Sequence, residues 1–372
     1  MSSSTLLTIG LALAADTYQA KRAFFSALTA VAAFEDIELL VCDNFPARDR
    51  RFITNCSFER LRYAPNERNL GAISNFDKIH WLSKSEFVLL LGDDDLINPF
   101  FCEFWPEISR ILKEDPDCDL YSLPCKFNAP AIYQIDPIPD PFYQHIQSQQ
   151  VDVRAAAVSS LKSFNYFFYG IKKRNSLAWR HAQRYFQNCP GYTRAFDWAA
   201  SYGSILLNRS IQCKYPFYVY NNANWSVESN FVEREVNLFK SDLKDSVVEE
   251  RDIAGLQMLR NAANAAISCS FFLSLGINSN KVNASGFEKF SYYKATKCIL
   301  LTRFLHLIPV QNLVWRDLFD NTEAGMWELL EFLLTQLEPL YKPELFSELE
   351  SFLKSTPTKG EDNFEPMTQQ SY

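Results

Sequence analysis

Three adjacent carboxylates, Asp93, Asp94 and Asp95, close the apolar run Phe87-Val88-Leu89-Leu90-Leu91-Gly92. Like charges ~4 Å apart repel by about 1 kcal/mol in water and about 4 kcal/mol at an effective dielectric of 20. Such a cluster calls for open solvent or a bound cation. Ligands that are all oxygen select a hard ion, Mg2+ or Mn2+, over zinc. Taken alone, the triplet is equally an acidic surface turn. A second acid, Asp43, ends the run Ile37-Glu38-Leu39-Leu40-Val41-Cys42, and Asn69 and Gly71 lie in the polar turn between the two runs.

The elements that must position these groups are legible as alternating patterns. Thr5 to Ala14 is strand-like, Lys21 to Val31 helix-like, and Asp36 to Asp43 strand-like again. A short strand near Leu61-Arg62-Tyr63 follows, then a helix entered through Asn69-Leu70-Gly71, then the strand that ends in the triplet. Strands alternating with helices predict an α/β protein with a parallel sheet. Unbroken apolar strands are those buried on both faces. Ligands of such sheets gather at the carboxyl ends of the strands, where Asp43 and Asp93 to Asp95 fall.

An N-terminal strand-helix-strand ending in Asp43, then Asn69-x-Gly71-x-x-x-Asn75, then Gly92-Asp93-Asp94-Asp95-x-x-x-Pro99 resembles the GT-A family 2 glycosyltransferases. The similarity is to the bacterial surface-polysaccharide branch that includes abequosyltransferase-like proteins. It covers residues 5 to about 100 well and 160 to about 226 loosely. The resemblance implies a GT-A (Rossmann-like) sheet domain and sugar transfer from a nucleotide-diphosphate donor to a glycan or lipid-linked glycan acceptor, with inversion. It further implies that Asp43 accepts a hydrogen bond from the donor's base, a role a strand-end turn aspartate can also leave unfilled. Asn69 falls near the base or ribose, and Gly71 would allow close backbone approach. Asp93 and Asp95 match the Asp-x-Asp metal element, with Asp94 toward the ribose or sugar. Ala14, in Leu13-Ala14-Ala15-Asp16 where relatives carry Pro-Thr, falls among the donor-binding positions, and Asn75 and Phe76 read as helix packing. A divalent ion would stabilise the departing diphosphate. A carboxylate base would take the acceptor's proton, and Asp197 is the candidate; a helix N-cap before Trp198 to Leu207 is its other reading.

The remaining sequence bounds the alternatives. A net charge of −7 over 372 residues argues against a general nucleic-acid binder. Nine Cys show no Cys-x-x-Cys pair, which suits reduced thiols in a cytoplasm, and the four His have no metal spacing. Thr5 to Ala15 has the look of a secretory core, but no Lys or Arg precedes it and the pattern needs it as the first strand. A sugar nucleotidyltransferase would bring a Gly-rich, basic phosphate loop, which Ala12 to Asp16 does not supply. A non-catalytic nucleotide-sugar or glycan-binding protein on the same fold remains open.

The expected organisation is a catalytic domain over 1–232 (donor half 1–127, acceptor half 151–232), helices over 233–354 and a disordered tail over 355–372. Residues 128–150, rich in Pro, read as a lid or a connector. The stretch 287–307 carries Lys289, Lys294, Lys297 and Arg303 among Phe290, Tyr293, Leu300 and Phe304. It reads either as a helix packed on the catalytic domain or as peripheral contact with an anionic membrane.

Overall fold

The computed structural model describes residues 5–122, 125–126, 151–152, 168–176, 179–180, 182, 196, 200, 209–220 and 282–283. The expected boundary at 232, the lid or connector, the helix at 287–307 and the tail lie outside the described residues.

The first apolar run forms β1 (Leu7–Leu13), whose Leu7, Ile9, Leu11 and Leu13 are wholly buried. Thr17 then caps α1 (Tyr18–Ala33), its hydroxyl accepting from the Ala20 amide, and α1 buries Ala20, Ala23, Phe24, Ala27, Ala30 and Val31. β2 (Ile37–Asp43), α2 (Arg51–Thr54), β3 (Leu61–Pro65), α3 (Gly71–Leu82) and β4 (Phe87–Gly92) follow in the expected alternation. Beyond the acidic turn come β5 (Leu96–Ile97), α4 (Phe101–Glu114), β6 (Cys118–Ser122) and β7 (Cys125–Lys126). Short strands β8 (Val151–Asp152), β9 (Ile171–Lys173), β10 (Arg209–Cys213), β11 (Tyr218–Tyr220) and β12 (Val282–Asn283) complete the described elements.

The main sheet has seven strands in the order β10-β6-β9-β4-β1-β2-β3. All its pairings are parallel except those of β9, which runs antiparallel between β4 and β6. The expected α/β class with a mostly parallel sheet is therefore observed. A three-stranded sheet, β5-β11-β7, lies after the acidic turn, and β8 pairs with β12.

Two features of this order place the site. The chain runs outward through β1, β2 and β3, then returns to the other side of β1 as β4. The strand order thus reverses at β1/β4, the place where open α/β sheets bind ligands. The helix beneath that switch is held close by a glycine: a β-carbon on Gly10 would stand 2.1 Å from Ile79 Cγ2 of α3. Only the bare α-carbon lets α3 settle on β1.

Candidate functional site

Register aligns the strand ends. Leu13 pairs with Asp43 across β1/β2, and Ala12 pairs with Gly92 across β1/β4. Ala14, Asp43 and Asp93 therefore emerge from one edge of the sheet, as the sequence leads one to expect.

Asp93 turns back across the switch point. Its Oδ2 accepts from the Ala14 amide at 2.8 Å and from the Ala15 amide at 2.6 Å. Two charge-assisted bonds to consecutive amides hold the β1–α1 corner against the acidic turn. The carbonyls of the same two residues are held from the other side. Arg48 Nη1 donates to Ala14 O at 2.8 Å, and Arg50 Nη1 donates to Ala15 O at 2.8 Å. Asp93, expected to bind metal and donor, is thus engaged first in positioning Ala14, the other expected donor contact.

Asp43 is likewise engaged within the protein. It is fully buried, and its carboxylate carries four hydrogen bonds. Arg50 Nε and Tyr63 OH donate to Oδ2 at 2.7 Å each, while Arg50 Nη2 and the Phe45 amide donate to Oδ1 at 2.9 Å each. A carboxylate has about four acceptor positions, enough for all these bonds. The carboxylate expected to meet the donor's base is also the hub that ties Arg50, Tyr63 and the Phe45 amide to the end of β2. Burial would raise the Asp43 pKa, but the Arg50 bonds, then Phe45 and Tyr63, hold it below the ordinary carboxylate value. Burial and the Asp43 bond push the Tyr63 hydroxyl well above its usual range.

Asn69 is exposed, and its Oδ1 accepts from the Gly71 amide at 2.9 Å, an Asx turn at the start of α3. Gly71 has φ +77°, the left-handed region that favours glycine. Behind this turn lies an amide network. Asn66 Nδ2 donates to Asn44 Oδ1 at 2.9 Å and to Asn75 Oδ1 at 3.0 Å, and Asn75 Nδ2 donates to the Cys42 carbonyl at 3.0 Å. Asn75 is a packing residue, as read from the sequence.

The acidic turn itself, Gly92 to Asp95, is closed by the Asp95 amide on the Gly92 carbonyl at 3.4 Å. Asp94 is exposed and Asp95 buried. A β-carbon on Gly92 would stand 3.1 Å from Asp94 Oδ1 and 3.4 Å from Asp95 Oδ2. Both carboxylates therefore fold over the same bare α-carbon. Among the described residues no group of three or more His, Cys, Asp or Glu is arranged to hold a metal ion. Asp197 lies outside the described residues; its neighbour Phe196 is buried 5.2 Å from Trp179, ring centre to ring centre.

Sequence reasoning missed Arg48, Arg50, Tyr63, Asn44 and Asn66. The basic cluster Arg48-Asp49-Arg50-Arg51, just after a buried acid, was the available signal for the first two. The asparagines had none, because their partners are set by the return of α3 onto β2.

No protein-family model matches the chain, and no curated protein matches it. Among solved structures it is similar to residues 1–349 of S. aureus TarS, at TM-score 0.42 and 15% identity over 91% of this chain and 93% of that one. The same TarS fragment in complex with UDP gives TM-score 0.40 and 15% identity over the same shares, 91% and 93%. With UDP-GlcNAc it gives TM-score 0.43 and 13% identity over 95% of this chain and 82% of that one. No helix among the described residues is long and apolar enough to cross a membrane.

Proposed function

We propose that the chain is a GT-A-type glycosyltransferase that moves a sugar from a nucleotide-diphosphate donor to a hydroxyl of a glycan or lipid-linked glycan. The observation that supports this reading is the convergence of Ala14, Asp43 and the acidic turn at the β1/β4 switch point, tied across it by Asp93. That is the position where a diphosphate donor would lie along the strand ends.

The acidic turn fits a hard divalent cation. Asp94 and Asp95 direct carboxylate oxygens over Gly92, and a side chain there would fill the space they share. Two carboxylates, with no third such ligand grouped with them among the described residues, suit Mg2+ or Mn2+, which keep waters and complete their shell on substrate phosphates. When bound, the ion would neutralise charge developing on the leaving diphosphate. Asp93 has a different task, keeping the Ala14–Ala15 corner in place beside the donor. Asp43 and Arg50 hold that corner from the far side. Asp197 is assigned the deprotonation of the acceptor hydroxyl, as the base such a displacement requires.

Nucleotide-sugar hydrolysis with Mn2+ tests this, read alongside Mn2+ binding by electron paramagnetic resonance. Wild type turns over, Asp95→Asn loses turnover and weakens Mn2+ binding, and Asp197→Asn loses turnover while keeping Mn2+. Donor binding without turnover in all three proteins would instead mark a nucleotide-sugar-binding protein.

A further inference from the structure

The loop between β3 and α3 carries side chains that the carboxylate corner does not use. Trp81, in the last turn of α3, is 61% exposed although it is one of the largest apolar side chains. It lines a cleft of about 310 Å3 whose apolar wall includes Pro65 and Leu82 and whose polar lip carries Glu67 and Arg68. Among the described residues no hydrogen bond or ion pair engages the side chains of Trp81, Glu67 or Arg68. The floor is fixed: Lys78 Nζ donates to the Pro65 carbonyl at 3.2 Å and to Asn66 Oδ1.

We propose that this cleft is a second, non-catalytic binding site for a neutral sugar ring. The chemistry of its three unengaged side chains selects that occupant. An exposed indole presents a negative π-face, which receives the C–H face of a pyranose. A carboxylate beside a guanidinium matches vicinal hydroxyls, since each hydroxyl both donates and accepts. A phosphate or other anion fits less well, because the Glu67 carboxylate, beside Arg68 in the same lining, repels it. A protein partner would need a far broader face, about 800 Å2 per side, whereas this cleft is at the small end of small-molecule sites.

The cleft shares Asn66 with the catalytic edge, where the Asn66 amide donates to the Asp43 carbonyl at 2.8 Å. It lies between the end of β3, the edge strand of the sheet, and the later turns of α3. A glycan held there would keep the acceptor chain on the enzyme while another of its units is at the transfer site. This use rests on the sugar-transfer reading; the binding does not.

The test uses the full chain labelled with 5-fluorotryptophan, in which the 19F resonance missing from Trp81→Phe identifies Trp81 among the seven tryptophans. Maltotetraose, chitotetraose and mannotetraose are titrated in turn. At least one shifts the Trp81 resonance saturably, and the double variant Glu67→Gln/Arg68→Met raises its Kd about tenfold or more. Trp81→Ala leaves nucleotide-sugar hydrolysis unchanged. No saturable shift with any of the three, or equal Kd in the double variant, overturns the site. A wild type that hydrolyses nucleotide sugar while Trp81 ignores every saccharide removes this site and leaves the transfer reading standing. A Trp81 shift in a protein that binds no nucleotide sugar does the reverse.

Discussion

Asp93 and Ala15 meet at 2.6 Å across the β1/β4 switch point, carboxylate oxygen to backbone amide, with the Ala14 amide on the same oxygen at 2.8 Å. The corner that would face a donor is therefore built by the acidic turn itself. Replacing Asp93 by Ala takes the acceptor from two part-buried amides, at a cost of about 1–3 kcal/mol in all. Urea denaturation is expected to show a loss in that range for Asp93→Ala. Asp93→Asn, which keeps an acceptor oxygen, is expected to lose less than half as much.

The Asp43–Arg50 pair makes a sharper prediction. Both side chains are almost wholly buried, 2.7 Å apart at the closest approach. Removing one partner from a buried pair typically costs about 3–5 kcal/mol, because the other charge is left uncompensated. Asp43→Asn and Arg50→Met are each expected to fall in that range. The double variant is expected to cost clearly less than their sum, a coupling that a double-mutant cycle in chemical denaturation measures directly.

Acid stability carries the signature of His80. The ring is buried, stacked on Trp179 at 4.4 Å, and burial followed by the charge of Lys172 pushes its pKa down to about 3. The unfolded chain binds this proton near pH 6.5, and the folded chain does not until about pH 3. Between those values the unfolded state holds more protons, so stability falls as pH falls, by up to ~1.4 kcal/mol per pH unit from this group. Asp43, whose pKa is lowered on folding, adds its own loss only as pH drops below the ordinary aspartate value. His80→Phe is expected to flatten the stability profile between pH 6.5 and 4 relative to wild type. An unchanged slope would contradict the assignment.

Gly10→Ala tests how α3 is seated. The new methyl would meet Ile79 Cγ2 at 2.1 Å, inside any real contact distance, so Ile79 or the helix that carries it must shift. Overpacking of this kind costs about 1–3 kcal/mol. The double change Gly10→Ala/Ile79→Ala is expected to recover part of that loss in thermal denaturation.

The strand-helix alternation from Leu7 to Gly92 was legible because buried parallel strands read as near-continuous apolar runs, as Leu39–Cys42 and Phe87–Leu91 are. The gathering of Asp43 and Asp93 at one edge of the sheet was legible for the same reason, since an acid that ends such a strand has only one edge to occupy. The direction of each carboxylate was not. Asp43 is turned inward by Arg50 and Tyr63, which lie seven and twenty residues further on and reach it only through the paths of α2 and β3. Asp93 is turned toward Ala14 by a pairing of β1 with β4 that no local pattern encodes. The antiparallel insertion of β9 between β4 and β6 was hidden as well, because a three-residue strand carries no periodicity.

A thermal-shift titration of the full chain with nucleoside diphosphates, with and without Mn2+, in wild type and Asp95→Asn, bears most directly on whether the acidic turn holds a cation against a diphosphate. A ligand at 100 times its Kd stabilises by about 2.7 kcal/mol, well within reach of the method. In wild type, at least one nucleoside diphosphate raises the melting temperature only when Mn2+ is present, and Asp95→Asn loses that rise. A rise that is independent of Mn2+, one that survives Asp95→Asn unchanged, or none with any nucleotide would contradict it.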